Sequence, residues 1–176
     1  MNLEELKYQL PDYAKDLKLN LSSLQSTPGL TKLQLWGSLL AAALASHNKN
    51  VIKAFHSEAE KNLSEAEITA VKAAAAIMGM NNIYYRFTHL IEKSEYATMP
   101  AGLRMNIMAN HGVEKIDFEL WSFVVSAING CGKCLDSHEA VLVKHNVSTS
   151  TIQAAAKIAA VVHAIARTMD IEEALQ

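Results

Sequence analysis

Two short stretches, Thr31-Lys32-Leu33-Gln34 and Ser64-Glu65-Ala66-Glu67, determine how two long parts of this chain begin. Each sets a hydroxyl residue three positions ahead of an amide or carboxylate side chain. That pattern is the capping box, in which the two side chains satisfy backbone N–H groups left free in the first turn of a helix. Each opens a run whose apolar residues recur at helical spacing, over roughly Leu33 to His47 and Ala66 to Met78. Ser148 opens a third such run, to about Arg167. Shorter helices are expected near Leu3 to Gln9, Asp12 to Leu21, Asn50 to Lys61, Asn82 to Glu92, Phe118 to Ile128 and Lys133 to His145. No run alternates with the strand period, alanine and leucine are abundant, and prolines number only three. The expected fold class is all-α.

Helix breakers gather at Pro28-Gly29, Pro100-Ala101-Gly102, His111-Gly112 and Asn129-Gly130. None of these is long enough to be a flexible linker, and 176 residues suffice for one buried core. One compact helical domain over 1–176 is expected. A faint internal duplication is also visible. Aligning Ile77-Met78-Gly79 with Ile128-Asn129-Gly130 pairs two helix–turn–helix units 51 residues apart, with Met80 and Ile83 where the second has Cys131 and Cys134.

Charge excludes some functions. The net charge of −2 is too balanced for a general attraction to nucleic acid or anionic membrane. No stretch reaches the run of about 18 apolar residues that spans a bilayer. The start, Met1-Asn2-Leu3-Glu4-Glu5, lacks the basic and apolar regions of a signal peptide. A cytoplasmic setting is therefore expected, where a close thiol pair is more often catalytic or metal-binding than structural.

Both cysteines of the chain fall in one segment, Cys131-Gly132-Lys133-Cys134-Leu135-Asp136-Ser137-His138. Asn129-Gly130 should break the preceding helix and leave Cys131 at the start of the next. Free N–H groups and the helix dipole there favour a thiolate. In a continuing helix Cys131, Cys134 and His138 lie at i, i+3 and i+7, within roughly 60° of one face. Leu135 and Leu142 extend that side inward. His138 is spaced to take the Cys134 proton. Glu119, on the preceding helix, could orient the imidazole and raise its basicity. Lys133 adds positive charge beside Cys134. The same Cys131, Cys134, His138 and Glu119 could instead hold zinc, although structural zinc sites usually draw ligand pairs from two separated segments. Met78, Met80, Met105 and Met108 read as core, and Trp36, Trp121 and Phe118 as core or subunit interface. His47, His56, His89, His111, His145 and His163 show no ligand spacing.

Glu119, Cys131, Cys134 and His138 match the pattern E-x11-C-x2-C-x3-H of the alkyl hydroperoxidase D family, within the carboxymuconolactone decarboxylase superfamily. Tyr13-Ala14-Lys15-Asp16, Leu35-Trp36-Gly37, Ile77-Met78-Gly79-Met80-Asn81-Asn82, Leu103-Arg104-Met105-Asn106 and Phe118-Glu119-Leu120-Trp121-Ser122 resemble that family in the same order. The resemblance covers nearly the whole chain. It implies an all-helical subunit assembled as a homotrimer or larger ring, with no bound cofactor. It also implies a lipoyl-dependent thiol peroxidase acting on alkyl or hydrogen peroxide. In that family the second cysteine, here Cys134, attacks the peroxide. The first, here Cys131, resolves the sulfenic acid as a Cys131–Cys134 disulfide, and Glu119 and His138 relay protons. Dihydrolipoamide on the acyltransferase component of a 2-oxoacid dehydrogenase supplies electrons, and the partner peroxiredoxin, alkyl hydroperoxide reductase C, can receive them.

The residues read alone favour Cys131 as nucleophile, because a helix start activates the first thiol; the family points to Cys134. One position departs. Family members carry histidine directly before the second cysteine, where this chain has Lys133. A protonated lysine donates but has no lone pair to accept with. The alternative expectation is therefore a disulfide-exchange adaptor that passes electrons to the peroxiredoxin with little peroxidase activity of its own. Lactone decarboxylation, the other branch of the superfamily, is disfavoured because its members lack the cysteine pair.

Overall fold

The computed structural model describes residues 1–175, so the last position of the expected 1–176 unit lies outside the described residues. Among the described residues the chain forms nine α-helices and no strand, as its patterning implies. They are α1 (Leu3–Gln9), α2 (Lys15–Leu24), α3 (Lys32–Ser46), α4 (Lys49–Asn62), α5 (Glu65–Leu90), α6 (Glu95–Thr98), α7 (Lys115–Ile128), α8 (Gly132–Lys144) and α9 (Thr149–Ala174). Single 3-10 turns at Asp12–Ala14 and Asn106–Met108 complete the order.

Helices begin where the sequence supplies caps. Thr31 and Gln34 close a reciprocal capping box on α3, and Ser64 and Glu67 do the same on α5. Ser148 accepts the Thr151 N–H at the head of α9. Two expected helices are one: Ala66 to Met78 and Asn82 to Glu92 join into the unbroken α5. Gly79, in the gap between the two expected helices, lies mid-helix facing open space. A helical glycine costs only about 1 kcal/mol, and burial of Ile68, Val71, Ala74 and Met78 on the same helix outweighs it. The proposed duplication fails for the same reason, since Met78-Gly79 continues a helix where Asn129-Gly130 is a turn. The expected helix from Asp12 to Leu21 starts as a 3-10 turn and runs on to Leu24.

The core is built around α3. Its sequence is apolar or small on every side, the pattern of a helix with no solvent face, and Gly37 through Ala43 are all buried. Helices α4, α5, α7 and α9 pack on it. At Gly37 the α3 backbone lies directly on the indole of Trp121 from α7, and a Cβ there would collide with that ring. Trp121 and Phe118 are core residues, and Trp36 packs partly buried against the core. Helix α9 is long and apolar enough by composition to match a membrane span. Here Ile158, Val162, Ile165 and Met169 are buried, and α9 packs on α3 and α7. Helices α5, α7 and α8 meet on the far side of α7, where the chemically reactive residues gather.

Candidate active site

The site is made by the turn between α7 and α8. Helix α7 ends at Ile128, and Gly130 takes a φ of 66°, a left-handed conformation that glycine adopts without strain. Helix α5 holds this turn from outside. Arg86 donates to the Asn129 carbonyl, Asn129 Nδ2 donates to Asn82 Oδ1 at 3.0 Å, and Asn82 Nδ2 donates to Ser126 Oγ at 2.8 Å. Cys131 then caps α8, its Sγ accepting the Cys134 N–H at 3.3 Å. A sulfur thus takes the place usually filled by a serine or aspartate oxygen.

Cys131 and Cys134 are joined as a disulfide with their Cα atoms 5.3 Å apart. That separation lies within the range of roughly 4.4–6.8 Å that disulfides span, so one helical turn already presents the pair for closure. Both face inward, as the i, i+3, i+7 spacing implies: Cys131 has no exposed surface, while Cys134 and His138 are each 6 % exposed.

Glu119 reaches His138 from α7, Oε2 standing 2.6 Å from Nδ1 with both residues buried. The other ring nitrogen, Nε2, lies 3.3 Å from Sδ of Met78 on α5. The 2.6 Å contact with the carboxylate fixes the orientation of the imidazole ring. The structure brings Glu119 and His138 together as expected, but it turns the free nitrogen towards Met78 instead of Cys134.

A cavity of about 330 Å³ opens beside these groups, with Cys134 and His138 in its wall. Helix α5 contributes Met78, Asn81 and Tyr85, and the segment between α6 and α7 contributes Met105 and Met108. Lys133 and Ser137 complete the lining. The Lys133 ammonium stands 5.7 Å from the centre of the Tyr85 ring, within the reach of about 6 Å for a cation–π contact. Sequence reading assigns Met78, Met105 and Met108 to core packing. Met78 is indeed in the core but also touches His138, and Met105 and Met108 are half-buried wall. It does not find Asn81 or Tyr85. The available signal is an adjacent pair of asparagines, poor helix formers, deep inside an alanine-rich helix. Among the described residues no three His, Cys, Asp or Glu side chains converge as metal ligands. In this state the four residues of the alternative zinc reading are otherwise engaged: the two sulfurs bond each other and Glu119 bonds His138.

Residues 94–176 match the model of the carboxymuconolactone decarboxylase family. A protein of Maricaulis maris named alkyl hydroperoxide reductase AhpD is 58 % identical over 98 % of this chain and 99 % of its own length. The chain belongs to the AhpD family. Proteins of the same name from Streptomyces griseus, 55 % identical over 99 % of both chains, and Gluconacetobacter diazotrophicus, 56 % identical over 99 % of this chain and 96 % of their own, agree. The AhpD match runs through all the helices, so it includes α5 with the Met78–Asn81 wall as well as the CxxC turn.

Proposed function

We propose that this chain is a dithiol–disulfide peroxide reductase. Cys134 attacks an alkyl hydroperoxide, Cys131 closes the disulfide, and dihydrolipoyl thiols return the electrons. One observation carries the reading: Cys134 borders the cavity, whereas Cys131 is wholly enclosed. Access supports Cys134 over the thiol that the helix start alone would favour.

The steps follow from the surroundings. An unperturbed thiol is only a few percent ionised at neutral pH, so the nucleophile needs a base and a local positive potential. Cys134 lies in the first turn of α8, where free N–H groups favour the anion. His138, held by Glu119, lines the same cavity and takes the thiol proton through a water there. The thiolate attacks the terminal peroxide oxygen, the O–O bond breaks, and the departing alkoxide leaves as the alcohol with that proton. Cys131 then attacks the Cys134 sulfenic acid and water leaves, which closes the disulfide before further oxidation. The Cys134 N–H on Cys131 Sγ favours the Cys131 thiolate. It therefore helps Cys131 attack, and helps it leave when a dihydrolipoyl thiolate attacks Cys134. The second lipoyl thiol releases Cys134 and closes the lipoyl disulfide.

The reductant in this reading is the lipoyl group of a dihydrolipoyl acyltransferase, and an AhpC-type peroxiredoxin is a further electron acceptor. The outer side of α5 supports a homo-oligomer. Ile83, Phe87 and Leu90 are exposed there, an apolar strip of the kind that subunit contacts cover. Lys133 favours the adaptor as the second reading, because it offers the cavity a donor and no base.

Peroxide consumption by purified, metal-free protein with dihydrolipoamide as sole reductant tests both. Turnover that vanishes in Cys134→Ser supports the peroxidase. A disulfide that dihydrolipoamide reopens, with peroxide consumed only after a peroxiredoxin is added, replaces it with the adaptor.

A further inference from the structure

Cys131 belongs to two helix ends at once. Its carbonyl accepts the Leu135 N–H at 3.0 Å and so begins α8. Its own N–H donates back to the Ser126 carbonyl of α7 at 3.1 Å, and the Gly130 N–H donates to the Ala127 carbonyl at 3.2 Å. With Gly130 left-handed between them, these two bonds are the Schellman closure of a helix C-terminus. That closure decides where the Cys131 sulfur stands, whereas Cys134 lies within α8 and is held by it. Helix ends fray when nothing else holds them.

What holds this end comes from another helix. Asn82 of α5 has no exposed surface, and both ends of its amide are paired. Nδ2 donates to Ser126 Oγ at 2.8 Å, and Oδ1 accepts from Asn129 Nδ2 at 3.0 Å. Those two partners bracket the closure: the Ser126 carbonyl receives the Cys131 N–H, and Asn129 stands directly before Gly130. One buried amide therefore bridges the turn that places Cys131. Helix propensity does not account for it, since asparagine is a poorer helix former than the alanines and methionines of α5. Nor does packing, because a buried amide contributes only when its bonds are made. A buried and fully paired polar network specifies one arrangement of the groups it joins.

We infer that Asn82 is a positioning residue for the redox couple: through Asn129 and Ser126 it holds Cys131 within closing distance of Cys134 when the disulfide is open. This rests on the dithiol–disulfide part of the reading above. Closure is intramolecular, so its equilibrium follows the effective concentration of one thiol at the other. With oxidised dithiothreitol as the oxidant, the Cys134 thiolate opens the reagent's disulfide and forms a mixed disulfide. The Cys131 thiolate then attacks the Cys134 sulfur, the Cys131–Cys134 bond forms, and dithiothreitol leaves with both of its sulfurs as thiols. The protein loses two electrons and the reagent gains them. A freer turn spreads Cys131 over more positions, lowers its effective concentration and makes the disulfide easier to reduce.

Wild type, Asn82→Ala, Asn129→Ala and the double variant are each equilibrated with mixtures of reduced and oxidised dithiothreitol. The disulfide fraction is read by mass after alkylation. Each single variant should show a fall of about 10-fold in the equilibrium constant for disulfide formation, or about 30 mV for two electrons. The double variant should fall no further than Asn82→Ala, because both substitutions break the same link. A merely structural role destabilises oxidised and reduced protein alike and leaves this constant unmoved; thermal midpoints of both forms make that comparison. An unchanged constant in Asn129→Ala overturns the role of Asn82, and so do losses that add in the double variant. Asn129 is half-buried, so Asn129→Ala carries the test where Asn82→Ala does not fold. A wild-type disulfide that dithiothreitol does not open overturns the dithiol–disulfide reading, and this assignment with it.

Discussion

Cys131 and Cys134 are one helical turn apart yet meet different surroundings, and their variants should differ accordingly. Cys134→Ser removes the sulfur at the cavity wall and should abolish peroxide reduction. Cys131→Ser should allow one oxidation per molecule and then leave a sulfenic acid on Cys134, detectable as a diketone adduct by mass. Equal steady-state turnover by Cys131→Ser and wild type would remove Cys131 from the resolving role. Glu119 holds His138 Nδ1 at 2.6 Å. Glu119→Gln should lower turnover at least about 10-fold and alter the pH–rate profile. An unaltered profile would mean that the carboxylate takes no part in proton transfer.

Two glycines on neighbouring helices make opposite predictions. Gly37 on α3 faces the Trp121 indole without room for a methyl group. Gly37→Ala should destabilise the protein by about 1–3 kcal/mol or more, the usual cost of overpacking a core. Gly79 on α5 is helical and meets open space. Gly79→Ala should stabilise by about 0.5–1 kcal/mol, because alanine loses less backbone freedom in a helix. Chemical denaturation midpoints of the two variants check both signs. A destabilised Gly79→Ala would contradict an unbroken α5. The continuity of α5 matters for the site, since Met78, Asn81, Asn82 and Arg86 reach the cavity and the cysteine turn from this single helix.

At the scale of the molecule, two groups away from the cysteines couple stability to pH. His163 on α9 packs towards α3, with Nδ1 3.3 Å from Ser46 Oγ. Burial, with the nearby Arg167 charge, pushes its pKa below the ordinary 6.5. The unfolded chain therefore takes up a proton near 6.5 that the folded chain refuses, so stability falls as pH drops through that value. His163→Gln should flatten this loss in midpoint-against-pH measurements. Asp117 on α7 has the opposite sign. Burial pushes its carboxyl above the ordinary 3.8, partly offset by a hydrogen bond from Gln34. The folded state retains a proton that the unfolded state releases, so this residue's contribution declines as pH rises above 3.8. Asp117→Asn should remove that decline. A pH dependence unchanged in either variant would remove that group from the coupling.

Local chemistry was readable from the sequence because it depends on near neighbours. Thr31 with Gln34, Ser64 with Glu67, and Asn129-Gly130 before Cys131 each bring their partners within a turn, so caps, break and thiol placement follow from spacing. The same applies to the inward face shared by Cys131, Cys134 and His138. The gap expected between Met78 and Asn82 is absent because local propensity is weak, and burial along α5 overrides it. The cavity was not readable. Asn81 and Met78 lie some fifty residues before Cys134, and only packing of α5 against α7 and α8 brings them to the sulfur and the imidazole. The direction of His138 Nε2 and the enclosure of Cys131 depend on the same packing. The sequence by itself determined an all-helical chain with two cysteines at a helix start; tertiary structure alone decided which sulfur meets the cavity, because exposure depends on what distant helices cover.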